Sequence, residues 1–167
     1  VGDEGNSASA TISSSRIRTA LQAGDCETAT RLLTRPFAVQ GPVIHGDKNG
    51  RKLGFPTANV DMGGYLRPRY GIYAVRGHLA DGRVLNGAAN LGIRPSLDPN
   101  DVNGGQVLLE THCLDWPATL GMDGGYGKLI QVDLLHKLHD ELKYDSLESL
   151  EQGIAQDCID ARQWFNS

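Results

Sequence analysis

At 167 residues the chain has the length of one ordinary domain, enough to bury a proper core, and its formal net charge of −4 argues against a general nucleic-acid surface, so any anion site has to be local. No apolar run approaches the ~18 residues of a membrane span and no signal-peptide pattern opens the chain. The three cysteines, Cys26, Cys113 and Cys158, lack Cys-x-x-Cys spacing and fit reduced thiols better than a disulfide frame or a zinc knuckle, so the expectation is a soluble, cytoplasmic protein.

In chain order, residues 1–11 are rich in Gly, Ser and Ala without hydrophobic periodicity and read as disordered. Ser13-Ser14-Ser15 offers an N-cap for a short helix carrying Ile17, Ala20 and Leu21 and ending near Gly24. Asp25 caps a second helix, with Ala29, Leu32 and Leu33 on one face and Pro36 as its stop. From Phe37 onward short β-like stretches dominate, at 37–45, 71–79, 83–91, 106–115 and 128–136, with Asp81-Gly82 as a tight hairpin turn. Their spacing suggests a barrel or sandwich rather than alternating βα units. A convincing helix begins only at Asp145, with Glu148 three residues on in a capping-box position. Leu147, Leu150, Ile154, Cys158, Ala161 and Phe165 then recur at helical spacing as one apolar stripe, with Gly153 a mild internal cost.

Two runs carry chemistry. Gly50-Arg51-Lys52-Leu53-Gly54-Phe55-Pro56-Thr57-Ala58-Asn59 is a glycine-bounded basic loop suited to wrapping backbone N–H groups around phosphates, and it is neither a Walker A motif nor Gly-x-Gly-x-x-Gly. Thr57 and Asn59 offer hard oxygens of the kind Mg²⁺ accepts when it shares substrate phosphates. Leu109-Glu110-Thr111-His112 supplies a carboxylate; on a strand Glu110 shares a face with Leu108, His112 and Leu114, at a partly desolvated rim that suits a general base. Phosphate cradle, metal and base together describe phosphoryl transfer. Read blandly, the first run is a surface turn and Glu110 a solvated strand residue. His136-x-x-His139 lacks a third ligand motif for zinc, and His45 and His78 have no partner the sequence names.

These residues resemble a known family. Gly46, Gly50, Arg51, Leu53, Gly54 and the Pro56-Thr57-Ala58-Asn59 tetrad look like the signature of riboflavin kinases, in particular the flavokinase module of bacterial bifunctional FAD synthetases. Gly71-Ile72-Tyr73-Ala74-Val75, Asn90-Leu91-Gly92-Ile93-Arg94-Pro95, Leu109-Glu110-Thr111-His112 and Asp145-Ser146-Leu147-Glu148-Ser149-Leu150 follow in that family's order, so the likeness covers residues 37–165. The resemblance implies a mainly β fold, a six-stranded Greek-key barrel with a C-terminal helix, over residues 37–167. It also implies a helical connector over residues 1–36, because residues 13–18 look like the segment that closes an upstream adenylyltransferase module whose His-x-Gly-His motif is missing here.

The activity implied is transfer of the γ-phosphate of ATP to riboflavin, giving FMN and ADP with Mg²⁺. Glu110 matches the catalytic base, Thr57 and Asn59 the metal ligands, and Gly46, Arg51, Thr57, Cys113, Asp115 and Tyr126 the nucleotide contacts. His139, Leu142 and Tyr144 match the flavin border, where relatives commonly carry arginine in place of His139; an imidazole there implies a weaker or pH-dependent N–H contact. Leu120-Gly121-Met122-Asp123-Gly124-Gly125 replaces a shorter approach to Tyr126 and implies a longer loop. The rival readings are a non-catalytic flavin or nucleotide binding module, or a docking domain of a larger synthetase. Retention of Glu110 speaks against a pure binder.

Overall fold

Strands alternating between an apolar inner face and a mixed outer face set the architecture of the computed structural model, which describes residues 7–44, 57–62, 66–94, 106–114 and 128–167. Six strands, β1 (Phe37–Pro42), β2 (Thr57–Asp61), β3 (Gly71–Leu79), β4 (Val84–Arg94), β5 (Gln106–Cys113) and β6 (Leu129–Asp140), form one antiparallel sheet in the order β1-β6-β3-β4-β5-β2. β3, β4 and β5 are a meander, and β6 returns beside β3, which is the Greek-key order. The sheet curls until its edges nearly meet: Ile44 N–H donates to Asn59 O across 2.8 Å, bridging the end of β1 to β2. The result is a nearly closed barrel, as the resemblance implied.

The barrel is filled by alternate residues of every strand. Val39, Val60, Tyr73, Val75, Leu91, Leu109, Ile130, Val132 and Leu134 lie in one buried cluster, which also takes in Cys26 from a helix outside the barrel. β3 is buried on both faces, because Ile72 and Ala74 on its outer side are covered as well. That double burial explains why Gly71-Ile72-Tyr73-Ala74-Val75 reads as an unbroken apolar run. Between β3 and β4 the turn at Asp81-Gly82 forms as expected, with Gly82 at φ 95 and Asp81 Oδ1 accepting from Arg83 N–H at 3.0 Å.

Three helices complete the described residues: α1 (Ser7–Ala23), α2 (Cys26–Leu33) and α3 (Leu147–Asn166). Asp25 caps α2 through Thr28 N–H, as the sequence indicated, and α2 ends at Thr34, which sits in the left-handed region at φ 63. α1 starts at Ser7, so the expectation of disorder through Thr11 fails for residues 7–11. Its last turns pack Ile17, Ala20 and Leu21 against Ala29 and Phe37, and an alanine- and serine-rich segment extends a helix already nucleated by that contact. Ser146 rather than Asp145 caps α3, and its capping-box partner is Ser149 rather than Glu148, with Ser149 N–H donating to Ser146 Oγ at 3.0 Å. α3 lays Ala161 over Ala74 and Ala88 on the outer wall, and the expected stripe holds except at Leu147, which is exposed.

Strand bounds differ from expectation where sequence periodicity is weak. β2 falls within the Gly50–Asn59 run that the sequence presents as a loop, where Pro56, Ala58 and Asn59 are disfavoured in strands; its pairing with β5 makes it a strand. β4 runs on to Arg94, and β6 runs on to Asp140. In β6 the alternation is hidden by irregularities opposite Ile72/Tyr73 and Ala74/Val75, which change the phase of its side chains. β1 ends at Pro42 and β5 at Cys113, shorter than expected.

Candidate active site

The antiparallel register brings the two chemistry-bearing runs side by side. Thr57 lies opposite His112 and Asn59 opposite Glu110 on the β2–β5 ladder. On its other side Glu110 lies opposite Asn90 of β4, Asn90 opposite Ile72 of β3, and Ile72 opposite His139 of β6. Directly opposed residues point to the same face, so Asn59, Glu110, Asn90, Ile72 and His139 form one row across the outer wall of the barrel. The inner face carries their neighbours Val60, Leu109, Leu91 and Tyr73. Adjacent strands lie about 4.8 Å apart, so Glu110 stands roughly 5 Å from the strand on either side and on the order of 14 Å from the His139 strand.

The Asn59 end of the row is withdrawn from water, together with His112 two residues along β5 from Glu110. Asn59 is 6% exposed, Glu110 7% and His112 5%, and His112 Nε2 lies 3.8 Å from Glu110 Oε1. Asn59 Oδ1 and Asn90 Oδ1 are both buried and find no hydrogen-bond partner among the described residues. A buried amide oxygen left unpaired costs about 1–3 kcal/mol, an arrangement that folding alone does not favour and that a ligand supplying a donor or a cation would relieve. The Asn59 oxygen, beside a carboxylate and on the strand that also carries Thr57, is a hard donor of the kind a divalent cation takes.

At the far end of the row, His139 joins β6 to α3. Its Nε2 lies 2.6 Å from Asp157 Oδ1 and its Nδ1 2.6 Å from Asp140 O. Both nitrogens face acceptors, so the ring is fully engaged when it carries both protons. Burial works against that charge, but the Asp157 carboxylate and the Asp140 carbonyl outweigh it and hold the His139 pKa above its usual value. Burial also pushes the Asp157 carboxyl up, against the pull of His139. Asp140 itself is held by Arg69 and Lys137, with Arg69 Nε at 2.8 Å, which keeps its carboxyl far below the usual range.

The segment after β6 turns back toward the wall. The Glu141 carboxylate lies where a Cβ on Gly92 would be, 2.2 Å from that position. Tyr144 lies over Gly153 of α3, and a Cβ there would stand 2.2 Å from its hydroxyl oxygen and 2.3 Å from Cζ. Gly153, a mere cost when read as helix sequence, is the gap that lets Tyr144 approach. Leu142, two residues before Tyr144 in the chain, is 60% exposed.

The structure therefore gathers Asn59, Glu110 and His139 on one wall, sets Tyr144 against α3 near Asp157, the partner of His139, and places Thr57 and Cys113 by backbone position at the ends of β2 and β5. Gly46, Arg51, Asp115 and Tyr126 lie outside the described residues, as do His45 and the Leu120 to Gly125 loop. His136 and His139 take different carboxylates rather than a shared ligand: His136 Nδ1 lies 2.6 Å from Glu27 Oε2 and its ring stacks on Trp164. His78 pairs with Asp133 at 2.8 Å. Two residues of the wall carried no individual role in the sequence. Asn90 opens the Asn90-Leu91-Gly92 run, and its strand parity with Ala88 is the available signal; Asp157 carries no distinctive sequence pattern.

A Greek-key barrel with a C-terminal helix on its wall defines a mainly β domain of the riboflavin kinase type. The riboflavin kinase of Trypanosoma brucei shares that fold, with a TM-score of 0.51 at 20% identity over 79% of this chain and 78% of that one. The chain belongs to the riboflavin kinase (flavokinase) family, whose model matches residues 33–165. It is 40% identical over 156 residues to the bifunctional riboflavin kinase/FMN adenylyltransferase of Haemophilus influenzae, covering 93% of this chain and 47% of that protein. A solved structure from Streptococcus pneumoniae, described as a macrolide-efflux protein, superposes with a TM-score of 0.76 at 29% identity, covering 92% of this chain and 47% of that one. No described helix here is long and apolar enough to cross a membrane. The chain spans about half the length of the curated relatives it matches.

Proposed function

We propose that this chain transfers the γ-phosphate of ATP to the ribityl 5′-hydroxyl of riboflavin, giving FMN and ADP. The observation that carries this reading is the row itself: a buried carboxylate, Glu110, flanked in register by Asn59 and Asn90 with unpartnered amide oxygens. Glu110 accepts the 5′-hydroxyl proton as the oxygen attacks phosphorus, and its burial keeps water from competing for that proton. Thr57 and Asn59 would hold a divalent cation, Mg²⁺ in this reading, which when bound neutralises charge on the nucleotide phosphates. Gly46, Arg51, Thr57, Cys113, Asp115 and Tyr126 are the proposed nucleotide contacts, with Arg51 donating to the transferring phosphoryl group.

The flavin ring then lies toward β6, bordered by His139, Leu142 and Tyr144. Because both His139 nitrogens are engaged within the protein, it meets the flavin through its ring edge and fixes β6 to α3 rather than offering a free N–H. We further propose that residues 1–36 connect to an upstream adenylyltransferase module in a full-length protein, that small molecules rather than nucleic acid or membrane are its ligands, and that it works in the cytoplasm. The bifunctional relatives of twice this length support the first point, and the free thiols of Cys26 and Cys158 support the last. A non-catalytic binding module has no use for the buried Glu110. The test is direct: incubate the chain with riboflavin, ATP and Mg²⁺ and separate the flavins by chromatography. FMN appearing in step with ADP supports the reading, and unchanged riboflavin under conditions where the protein is folded refutes it.

A further inference from the structure

Glu110 and the flavin border at His139 are separated by three strand spacings, on the order of 14 Å, and the residues between them on the wall are Asn90 and Ile72. A riboflavin whose 5′-hydroxyl meets Glu110 and whose ring lies near His139 has to run its ribityl chain over β4. A five-carbon chain covers on the order of 6 Å, little more than one strand spacing, so its inner hydroxyls fall over Asn90. Ile72 offers no polar atom. Asn90 Oδ1 is buried and finds no partner among the described residues, while the matching orphan, Asn59 Oδ1, lies across the strand on the other side of Glu110, where the proposed nucleotide contacts begin with Thr57. The two orphan oxygens thus stand on opposite sides of the base, one toward each substrate.

We propose that Asn90 is a substrate-binding residue, its carboxamide oxygen accepting a hydrogen bond from the 3′- or 4′-hydroxyl of the ribityl chain and so setting the distance between the 5′-oxygen and Glu110. The inference rests on the kinase reading and adds a specificity determinant to it: the site selects a polyhydroxylated side chain on the flavin, since an apolar chain of the same length would leave the Asn90 oxygen buried and unpaired.

The experiment compares wild type, Asn90→Ala and Asn90→Leu with riboflavin, 3′-deoxyriboflavin and 4′-deoxyriboflavin, reading both flavin binding by fluorescence quenching and the kinetics of phosphorylation. Wild type converting none of the flavins would refute the kinase reading itself, whatever Asn90 does. With wild type active, both variants should bind riboflavin about three- to tenfold more weakly, the worth of one neutral hydrogen bond, while Mg²⁺-ADP affinity stays within twofold. One of the deoxy analogues should weaken wild type by the same factor and lose nothing further on mutation. The free variants should melt at or above the wild-type temperature, because the oxygen they lose has no partner to miss. The proposal is overturned if riboflavin affinity is unchanged, if the penalty persists with both deoxy analogues, if Mg²⁺-ADP binding falls instead, or if both variants fail to fold, which would make Asn90 a structural residue.

Discussion

Replacing Gly153 by alanine sets two effects of known sign against each other. In an interior helix position the change is worth about 1 kcal/mol in favour of the folded chain. Here the new Cβ would lie 2.2 Å from the Tyr144 hydroxyl oxygen, 2.3 Å from Cζ and 2.6 Å from Cε1. Ordinary contact begins at 3.4 Å, so the ring must retreat by roughly 1 Å or swing away from α3. Tyr144 is half-buried and follows an exposed Leu142 and Lys143, so swinging away is the cheaper response, and it forfeits part of the ring's packing. The net stability change should therefore lie well under the helix gain, within about 0.5 kcal/mol of zero. Flavin affinity should fall about two- to tenfold, the worth of one displaced aromatic contact. In a Tyr144→Ala background the obstacle is gone, so Gly153→Ala should then add its full ~1 kcal/mol and leave flavin affinity where the first substitution put it. Urea denaturation and flavin fluorescence titration on the four proteins of this cycle give both quantities. If Gly153→Ala alone stabilises by the full helix increment with flavin affinity unchanged, the Tyr144–Gly153 contact plays no part in the site.

Two further outcomes follow from the wall. The folded chain holds the His139 proton more tightly than the unfolded chain does, so this stabilisation is complete below about pH 6.5 and is lost as pH rises through the raised value. Wild type should accordingly lose more thermal stability than Asp157→Asn between pH 6 and 9, and parallel melting profiles would show that the pair contributes nothing to that dependence. Asn59→Leu removes an unpartnered buried oxygen and should leave the melting temperature unchanged or higher while weakening Mg²⁺-ATP binding by about tenfold or more, with flavin binding little affected. Calorimetry showing normal Mg²⁺-ATP affinity would leave Asn59 as a strand residue only.

How far the fold could be read from the residues depended on periodicity. β3 and the hairpin at Asp81-Gly82 appear at their expected places because their apolar and turn signals are strong and local. β2 escaped because Ala58 and Asn59 are poor strand formers and the segment follows Pro56, so its conformation comes from pairing with β5, a contact some fifty residues away in sequence. The end of β6 escaped because its phase changes at the irregularities opposite β3, so His136, Lys137 and His139 show no alternation. The start of α1, ahead of the helix the sequence indicated up to Gly24, was hidden for a different reason: its first turns carry no apolar stripe and are helical through continuity with the packed end. Glu110 and Asn59 could be singled out by residue type and motif, but their opposition depends on register, and register is a long-range property. The same holds for Asn90 and for the Asp157 partner of His139. Neither has a distinctive local pattern, and each gains its meaning from a neighbouring element.

The most direct test of the account is the single-turnover rate of Glu110→Gln beside wild type, with riboflavin, ATP and Mg²⁺ at saturating concentrations and binding of each substrate measured separately. The amide is nearly the same shape as the carboxylate and accepts no proton, so the phosphoryl-transfer rate should fall by about 10²- to 10⁴-fold while flavin and nucleotide affinities remain within about threefold. A variant that transfers phosphate at better than a third of the wild-type rate would show that the buried carboxylate on the outer wall is not the base.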